Sequence, residues 1–269
     1  MSADRRTPRA LSIAGSDSGG GAGIQADLKA FAACGVHGMT AITAITAQNT
    51  VGVSGIHSVP PQTIIAQVRA VASDIGADAV KIGMLGTVPT IEAVDRALDE
   101  LDNAAPVVLD PVMVSESGAQ LLEPDARQAL VELLLPRATV TTPNLPEARA
   151  LAGSADAPAA ELASALLALG PAAVVVTGGH ADATDVFCDS STLVELPGER
   201  HRDGASHGSG CTHSSALAAL LAWDLSPLNA ARGAKAIAAA AVERGLHELG
   251  AGTGPVDVLG LPDRAPPLT

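Results

Sequence analysis

The strongest chemical feature of the sequence is a cluster of glycines and one cysteine at a helix start. The segment His207-Gly-Ser-Gly-Cys211 stands immediately before an Ala-rich stretch opening near Thr212. Two glycines and a small hydroxyl residue there aim several unpaired N–H groups, and the positive end of the helix dipole, at one point. Gly208, Ser209, Gly210 and Cys211 are then an anion hole. The same field favours the Cys211 thiolate and lowers its pKa. A glycine-rich turn with a merely packed cysteine accounts for the same residues, and the segment alone does not separate the two.

A second cluster, Gly15-Ser-Asp-Ser-Gly-Gly-Gly-Ala-Gly23, follows an apolar run and leads into a helical one. Glycines can set backbone N–H groups around an anion or let a flat ligand lie against the chain. Within it Gly21-Ala-Gly-Ile-Gln-Ala26 fits the dinucleotide fingerprint G-x-G-x-x-A, but the acidic residue expected ~20 positions on is missing, since 41–50 holds no Asp or Glu. Neither Lys29, Lys81 nor Lys235 follows a glycine, which excludes a Walker P-loop.

In the third cluster, Thr142-Pro-Asn-Leu-Pro-Glu147, a helix beginning at Pro146 turns Asn144 and Glu147 to one crevice, where they can hold a hydrated Mg²⁺. A capping box uses the same pair and is the commoner outcome. Asp110 closes a strand before Pro111-Val-Met113 and offers a carboxylate to the same ion. Thr177-Gly-Gly179-His180 follows another strand and can approach a nucleotide phosphate.

Such residues need a frame to bring them together. Short apolar runs at 10–14, 80–83, 107–110, 139–142 and 172–177 read as buried strands. Between them 24–33, 62–75, 88–101, 125–135 and 161–169 carry apolar residues at helical spacing, with Pro61 and Pro124 as start signals. Strand then helix, repeated, implies an α/β fold with a mostly parallel sheet covered by helices on both faces. Ligands of such sheets sit beyond the carboxyl ends of the strands, where 15–23, Asp110, 142–147 and 177–180 fall. The runs 39–46 and 55–59 predict a further strand pair, and 211–223 and 228–249 two long Ala-rich helices. The chain, 1–269, reads as one domain.

Composition excludes other classes. Sixteen basic residues against 29 acidic give −13, which argues against nucleic acid as a partner. Phe31, Phe187 and Trp223 are the only aromatics, so base-stacking platforms are absent and the core is aliphatic. No apolar run reaches the ~18 to 20 residues of a membrane span. The run 10–14 is shorter than a secretory h-region of ~7 to 15 residues, so a cytoplasmic protein is expected. Cys34, Cys188 and Cys211 are too few and scattered for a disulfide framework or zinc site.

Taken together the chain resembles the hydroxymethylpyrimidine and phosphomethylpyrimidine kinases of thiamine biosynthesis, in the ribokinase-like superfamily. The resemblance runs from about residue 11 to 256. It rests on Ala14-Gly-Ser-Asp17, Ser18 through Lys29, Thr46-Ala-Gln-Asn-Thr50, Lys81-Ile-Gly-Met-Leu85, Asp110-Pro-Val-Met113, Thr142 through Glu147 and His207 through Thr212, in order. It implies a three-layer sandwich that moves phosphate from ATP, with Mg²⁺, first to the hydroxymethyl group of an aminopyrimidine and then to the phosphate so formed. It implies that Cys211 takes the hydroxyl proton and that Gln48, Asp27, Gly15, Ala22, Met84 and Val112 hold the pyrimidine. Asn144, Glu147, Thr177 and Gly179 are the implied nucleotide contacts, Asp110 and Glu147 the metal ligands, and a homodimer the implied assembly.

The chain departs from that family in places. Thr is usual where Ser209 stands, Asn-Thr-His where this chain reads Ala205-Ser-His207, and often Lys at Glu116 and Thr177. Two cations beside ATP phosphates are thereby lost, and His213 is unusual. A pyridoxal-type vitamin kinase shares Asp-Pro-Val-Met and Thr-Pro-Asn but normally ends its anion hole in Asp. A non-catalytic pyrimidine sensor is the third reading.

Overall fold

The structure, a computed structural model, describes residues 6–102, 104–178, 183–199, 201 and 204–264. The first half runs β1 (Arg9–Asp17), α1 (Gly23–Ala33), β2 (His37–Gln48), β3 (Val53–Ser58), α2 (Pro61–Asp74), β4 (Ala79–Ile82), α3 (Val88–Leu98) and β5 (Val107–Leu109). The second runs α4 (Ala126–Ala129), β6 (Val140–Thr141), α5 (Leu145–Ala152), α6 (Ala159–Leu167), β7 (Ala173–Val176), β8 (Asp185–Asp189), β9 (Leu193–Leu196), α7 (Ser209–Ala222) and α8 (Pro227–Glu243).

The strands form one sheet of order β3-β2-β1-β4-β5-β6-β7-β8-β9. From β2 to β7 neighbours are parallel, while β3, β8 and β9 pair antiparallel at the two edges. Strand side chains alternate between two cores, as a period of two requires. Leu11, Ile13, Val80, Ile82 and Leu109 pack with Ile64 and Val68 of α2 and Ile91 and Val94 of α3. Ala10, Ala79, Val108 and Val140 face the other way, onto Phe31 of α1, Leu217 of α7 and Ala230 of α8. Each fully buried aliphatic side chain contributes about 1.5–3 kcal/mol, which lets a core nearly without aromatics hold three layers. The expected α/β sandwich is therefore present.

Differences from expectation lie at the edges. β8 and β9 are a short hairpin that the apolar run Val186-Phe-Cys188 alone does not announce. The helix expected over 125–135 is only α4, after which the chain widens to a π turn at Leu130–Leu134 and ends in a tight turn at Leu135–Arg137. Pro136 has no N–H and cannot continue the ladder. The last long helix stops at Glu243 rather than 249, before Gly245, where a Cβ would stand 2.3 Å from the Cβ of Ala205. No helix of the described residues is long and apolar enough to cross a membrane.

Candidate active site

A cavity of about 780 Å³ opens at the carboxyl ends of the parallel strands. Of the expected site residues, Gly15, Ala22, Gln48, Met84, Val112, Asp110, Asn144, Glu147, Thr177, Gly208, Ser209, Gly210 and Cys211 line it. Gly179 lies outside the described residues, as does His180. Asp27 is the exception to the pocket reading: it is fully buried and does not line the cavity. Its carboxylate is consumed by Ser12 Oγ (2.5 Å), Ser215 Oγ (2.6 Å) and Lys81 Nζ (2.9 Å), so it holds a cation from behind and has no oxygen to offer a ligand.

At one end of the cavity β1 and β2 present the glycine loop and Gln48. A Cβ on Gly15 would stand 3.0 Å from Met84 Sδ, which makes this wall flat. Gly23 has φ +56°, and its Cβ would meet Gly15 O at 2.3 Å, so glycine is required where the loop folds back on β1. Gln48 Oε1 accepts from Thr46 Oγ1 (3.1 Å), and its amide nitrogen has no protein partner among the described residues.

The helix start at α7 is built as expected. Gly208 caps it with φ +81°. Ser209 N–H donates to Ser206 O (3.0 Å) and Thr212 N–H to Gly208 O (2.9 Å). The Gly210 and Cys211 N–H groups, between them, have no partner among the described residues, and the space beside Gly210 is open. Of the four expected donors, Ser209 N–H is therefore taken up by its own turn.

Lys81 is the residue whose importance spacing did not show. It is fully buried in β4, lines the cavity, and sits 2.9 Å from Asp27 Oδ1 and 3.9 Å from Asp110 Oδ2. Burial pushes its pKa down, but Asp27, Cys211 and Asp110 outweigh that and hold the ammonium above its ordinary value. A lysine in an apolar central strand was the available signal, since a buried lysine needs a carboxylate partner.

Cys211 corrects the expectation of a lowered pKa. Burial, with the charges of Asp110 and Asp27, pushes its thiol up to about 12, although Lys81 and the Gly23 N–H act in the opposite direction. The helix dipole favours the thiolate, but the cost of burying the charge, with Asp110 and Asp27 added to it, outweighs a terminus of roughly half a charge.

On the facing wall Asn144 and Glu147 form the capping box: Glu147 N–H donates to Asn144 Oδ1 (2.9 Å) and Asn144 N–H to Glu147 Oε2 (2.9 Å). Glu147 also accepts from Met113 N–H (3.3 Å). Burial and the neighbouring Asp110 still push it up to about 8. Asp110 is raised as well, by burial above all, with Ser214 Oγ donating to it at 2.9 Å. Thr142 Oγ1, on the same wall, is buried with no hydrogen-bond partner among the described residues.

At the far end α8 brings Lys235 to Asp185 Oδ1 (2.9 Å) and to Ala183 O (2.6 Å), and His213 Nε2 lies 3.7 Å from Asp185 Oδ2. Burial holds His213 below the ordinary histidine value, so it is neutral there. A cation thus reaches the end of the cavity lined by Thr177, from α8 rather than from β7. At the mouth Ser206 Oγ donates to Glu116 Oε1 (2.8 Å), so two of the departures from the family pattern bond to each other.

The chain is similar to known proteins over nearly its whole length. The family described as phosphomethylpyrimidine kinase matches residues 17–257. A hydroxymethylpyrimidine/phosphomethylpyrimidine kinase of Rhizobium meliloti is 51% identical over 259 residues, 93% of this chain and 96% of that protein. Among solved structures, the ADP complex of Bacillus subtilis pyridoxal kinase superposes with a TM-score of 0.86 at 40% identity, covering 96% of this chain and 99% of that one. The phosphomethylpyrimidine kinase of Clostridium difficile gives 0.76 at 39%, covering 86% and 97%. With a ribokinase-like sheet, an anion hole at a helix start and near full-length similarity, this chain belongs to the phosphomethylpyrimidine kinase family of ATP-dependent phosphotransferases.

Proposed function

We propose that the protein phosphorylates 4-amino-5-hydroxymethyl-2-methylpyrimidine with ATP, and then phosphorylates the monophosphate to the diphosphate, in thiamine biosynthesis. The observation that carries this is that Gln48 and the free Gly210 and Cys211 N–H groups face one cavity. Gln48 can donate and accept at once, as a ring nitrogen beside an exocyclic amine requires. The flat wall of Gly15 and Met84 takes the ring. The acceptor oxygen then attacks phosphorus, the bond to the ADP oxygen breaks, and charge on the moving phosphoryl group meets the two N–H donors and Lys81. The nucleotide occupies the end lined by Thr177, Asp185 and Lys235.

Asp110 and Glu147 fit Mg²⁺. They are hard oxygen donors on one cavity, raised first by burial and then by a neighbouring carboxylate, an environment in which a cation would favour their ionised forms, and Mg²⁺ is commonly held by one or two carboxylates with phosphate and water completing the shell. When bound, the ion supplies charge neutralisation at the phosphate oxygens. The whole chain serves as one kinase unit, and a homodimer in the cytoplasm is the expected form.

The fold admits pyridoxal kinases too, so the substrate rests on Gln48, on Cys211 and on the 51% identity to the pyrimidine enzyme. An ADP-release assay tests it with the aminopyrimidine, its monophosphate and pyridoxal, each with and without Mg²⁺. Both pyrimidines turn over only with Mg²⁺, and kcat/KM for pyridoxal is lower by roughly 10-fold or more. Preference for pyridoxal, or tight pyrimidine binding without ADP, rejects the reading.

In this scheme Cys211 takes the alcohol proton of the first transfer, which only its thiolate can do; its raised pKa keeps it a thiol at rest, so the role has to be tested by substitution. The first acceptor is an alcohol that must lose a proton, whereas the second is an ionised phosphate oxygen that needs no base. Cys211→Ala lowers kcat of the first transfer by about 10²-fold or more and that of the second only a few-fold. Equal losses remove the assignment and leave Cys211 a packing residue.

A further inference from the structure

Asp17 ends β1 and is almost fully buried. Its Oδ1 accepts from Gly19 N–H (2.8 Å), and its Oδ2 from Gly21 N–H (3.0 Å), Ala22 N–H (2.8 Å) and His207 Nε2 (3.1 Å). Burial pushes its pKa up, but the His207 bond and the Ala22 and Gly19 N–H groups outweigh that and hold the carboxyl below its usual value. An ionised carboxylate only accepts, so Nε2 of His207 carries the hydrogen. With four donors on two oxygens, Asp17 is neither a base nor a metal ligand.

What it joins is the interest. His207 N–H donates to Gly254 O (3.3 Å), and its carbonyl accepts from Val256 N–H (3.1 Å), so the ring is fixed by its own backbone. A Cβ on Gly21 would stand 2.1 Å from His207 Cδ2, and one on Gly208 would stand 1.8 Å from Gly21 O. The glycine loop and the anion hole are thus in backbone contact at this pair. On the other side Ser18, next to Asp17, accepts from Gln48 N–H (2.9 Å) and donates to Gln48 O (2.6 Å). A continuous path runs from Gln48 through Ser18, Asp17 and His207 to Gly208, joining the acceptor anchor to the donors that meet the phosphoryl group.

We propose that Asp17 and His207 are positioning residues: a buried strut that sets the distance from Gln48 to the Gly210 and Cys211 N–H groups, and so aligns acceptor and phosphorus. The inference rests on the function proposed above. Reacting atoms must be held near attack distance, and a shift of ~1 Å costs on the order of 10²-fold in rate. A strut therefore acts on kcat and leaves each substrate its own binding contacts.

The test uses full-length Asp17→Asn, His207→Leu and His207→Gln, the last placing an amide N–H where Nε2 stood. Asp17→Asn and His207→Leu lower kcat by about 10²-fold with both KM values within about threefold, and the double variant is no worse than either alone. His207→Gln recovers at least about tenfold of the loss. Loss through KM, additive losses in the double variant, or equal kcat for His207→Gln and His207→Leu overturns the strut. Hydrogen exchange reads it without turnover or assay: in Asp17→Asn the bonded amides of Gly19, Gly21 and Ala22 and those of His207 and Ser209 lose protection together, and loss in the glycine loop alone overturns it. A wild-type enzyme inert towards the pyrimidine alcohol instead rejects the proposed function, and leaves the exchange result to decide the strut.

Discussion

Gly208→Ala lowers kcat for both phosphoryl transfers by about 10²–10³-fold, the scale on which a displaced transition-state donor is felt. Gly208 has φ +81°, a region in which an alanine is strained by about 1–3 kcal/mol. Conformation is the smaller part. A Cβ there would lie 1.8 Å from Gly21 O and 3.4 Å from Ala22 Cα, both backbone, so no rotamer change relieves the contact. Either the glycine loop withdraws from the helix start or the first turn of α7 tilts, and in both cases the Gly210 and Cys211 N–H groups leave the point at which they converge. Steady-state ADP release measures it, with thermal melting alongside to show that the protein remains folded. A kcat within tenfold of wild type would mean that the α7 start does not stabilise the moving phosphoryl group.

What could be read in the sequence divides along a physical line. Local chemistry was legible. The strand Ala173–Val176 is a β-branched run, and the capping box at Asn144 and Glu147 is a three-residue signal. The site was legible to the extent that parallel α/β sheets place ligands after their strands, which put Asp110, Asn144 and Gly208 on one cavity. Pairings across the chain were not. Asp17 and His207 are 190 residues apart, and Lys81 and Asp27 54, so no spacing rule joins them. The sign of the Cys211 shift failed for the same reason: the helix dipole is local and visible, whereas the burial that dominates the shift, and the Asp110 and Asp27 charges that add to it, come from the fold. Asp27 itself matched the family's pocket by position, yet its oxygens serve Lys81, Ser12 and Ser215.

Lys81→Met carries the second large effect, on stability and rate at once. The ammonium faces Asp27 Oδ1 at 2.9 Å and Asp110 Oδ2 at 3.9 Å, with no solvent exposure of its own. Methionine fills the volume but leaves two carboxylates in a dry wall, and breaking a buried pair this way costs about 3–5 kcal/mol. The melting temperature falls by on the order of 10 °C. The rate falls by about 10³-fold, because the same charge faces the cavity that receives the phosphoryl group. Adding Asp27→Asn separates the two roles. An asparagine oxygen still accepts from Ser215 and its amide can donate to Ser12, so Lys81→Met/Asp27→Asn regains much of the melting temperature while kcat stays low. Recovery of kcat in the double variant would show that Lys81 only neutralises Asp27. Failure of both to recover would place the stabilising partner at Asp110, which Lys81→Met/Asp110→Asn then tests by melting alone. The lysine has two duties because the cavity floor is made of carboxylates, and a floor of that charge cannot accept a migrating phosphoryl group unless a fixed cation lies within it.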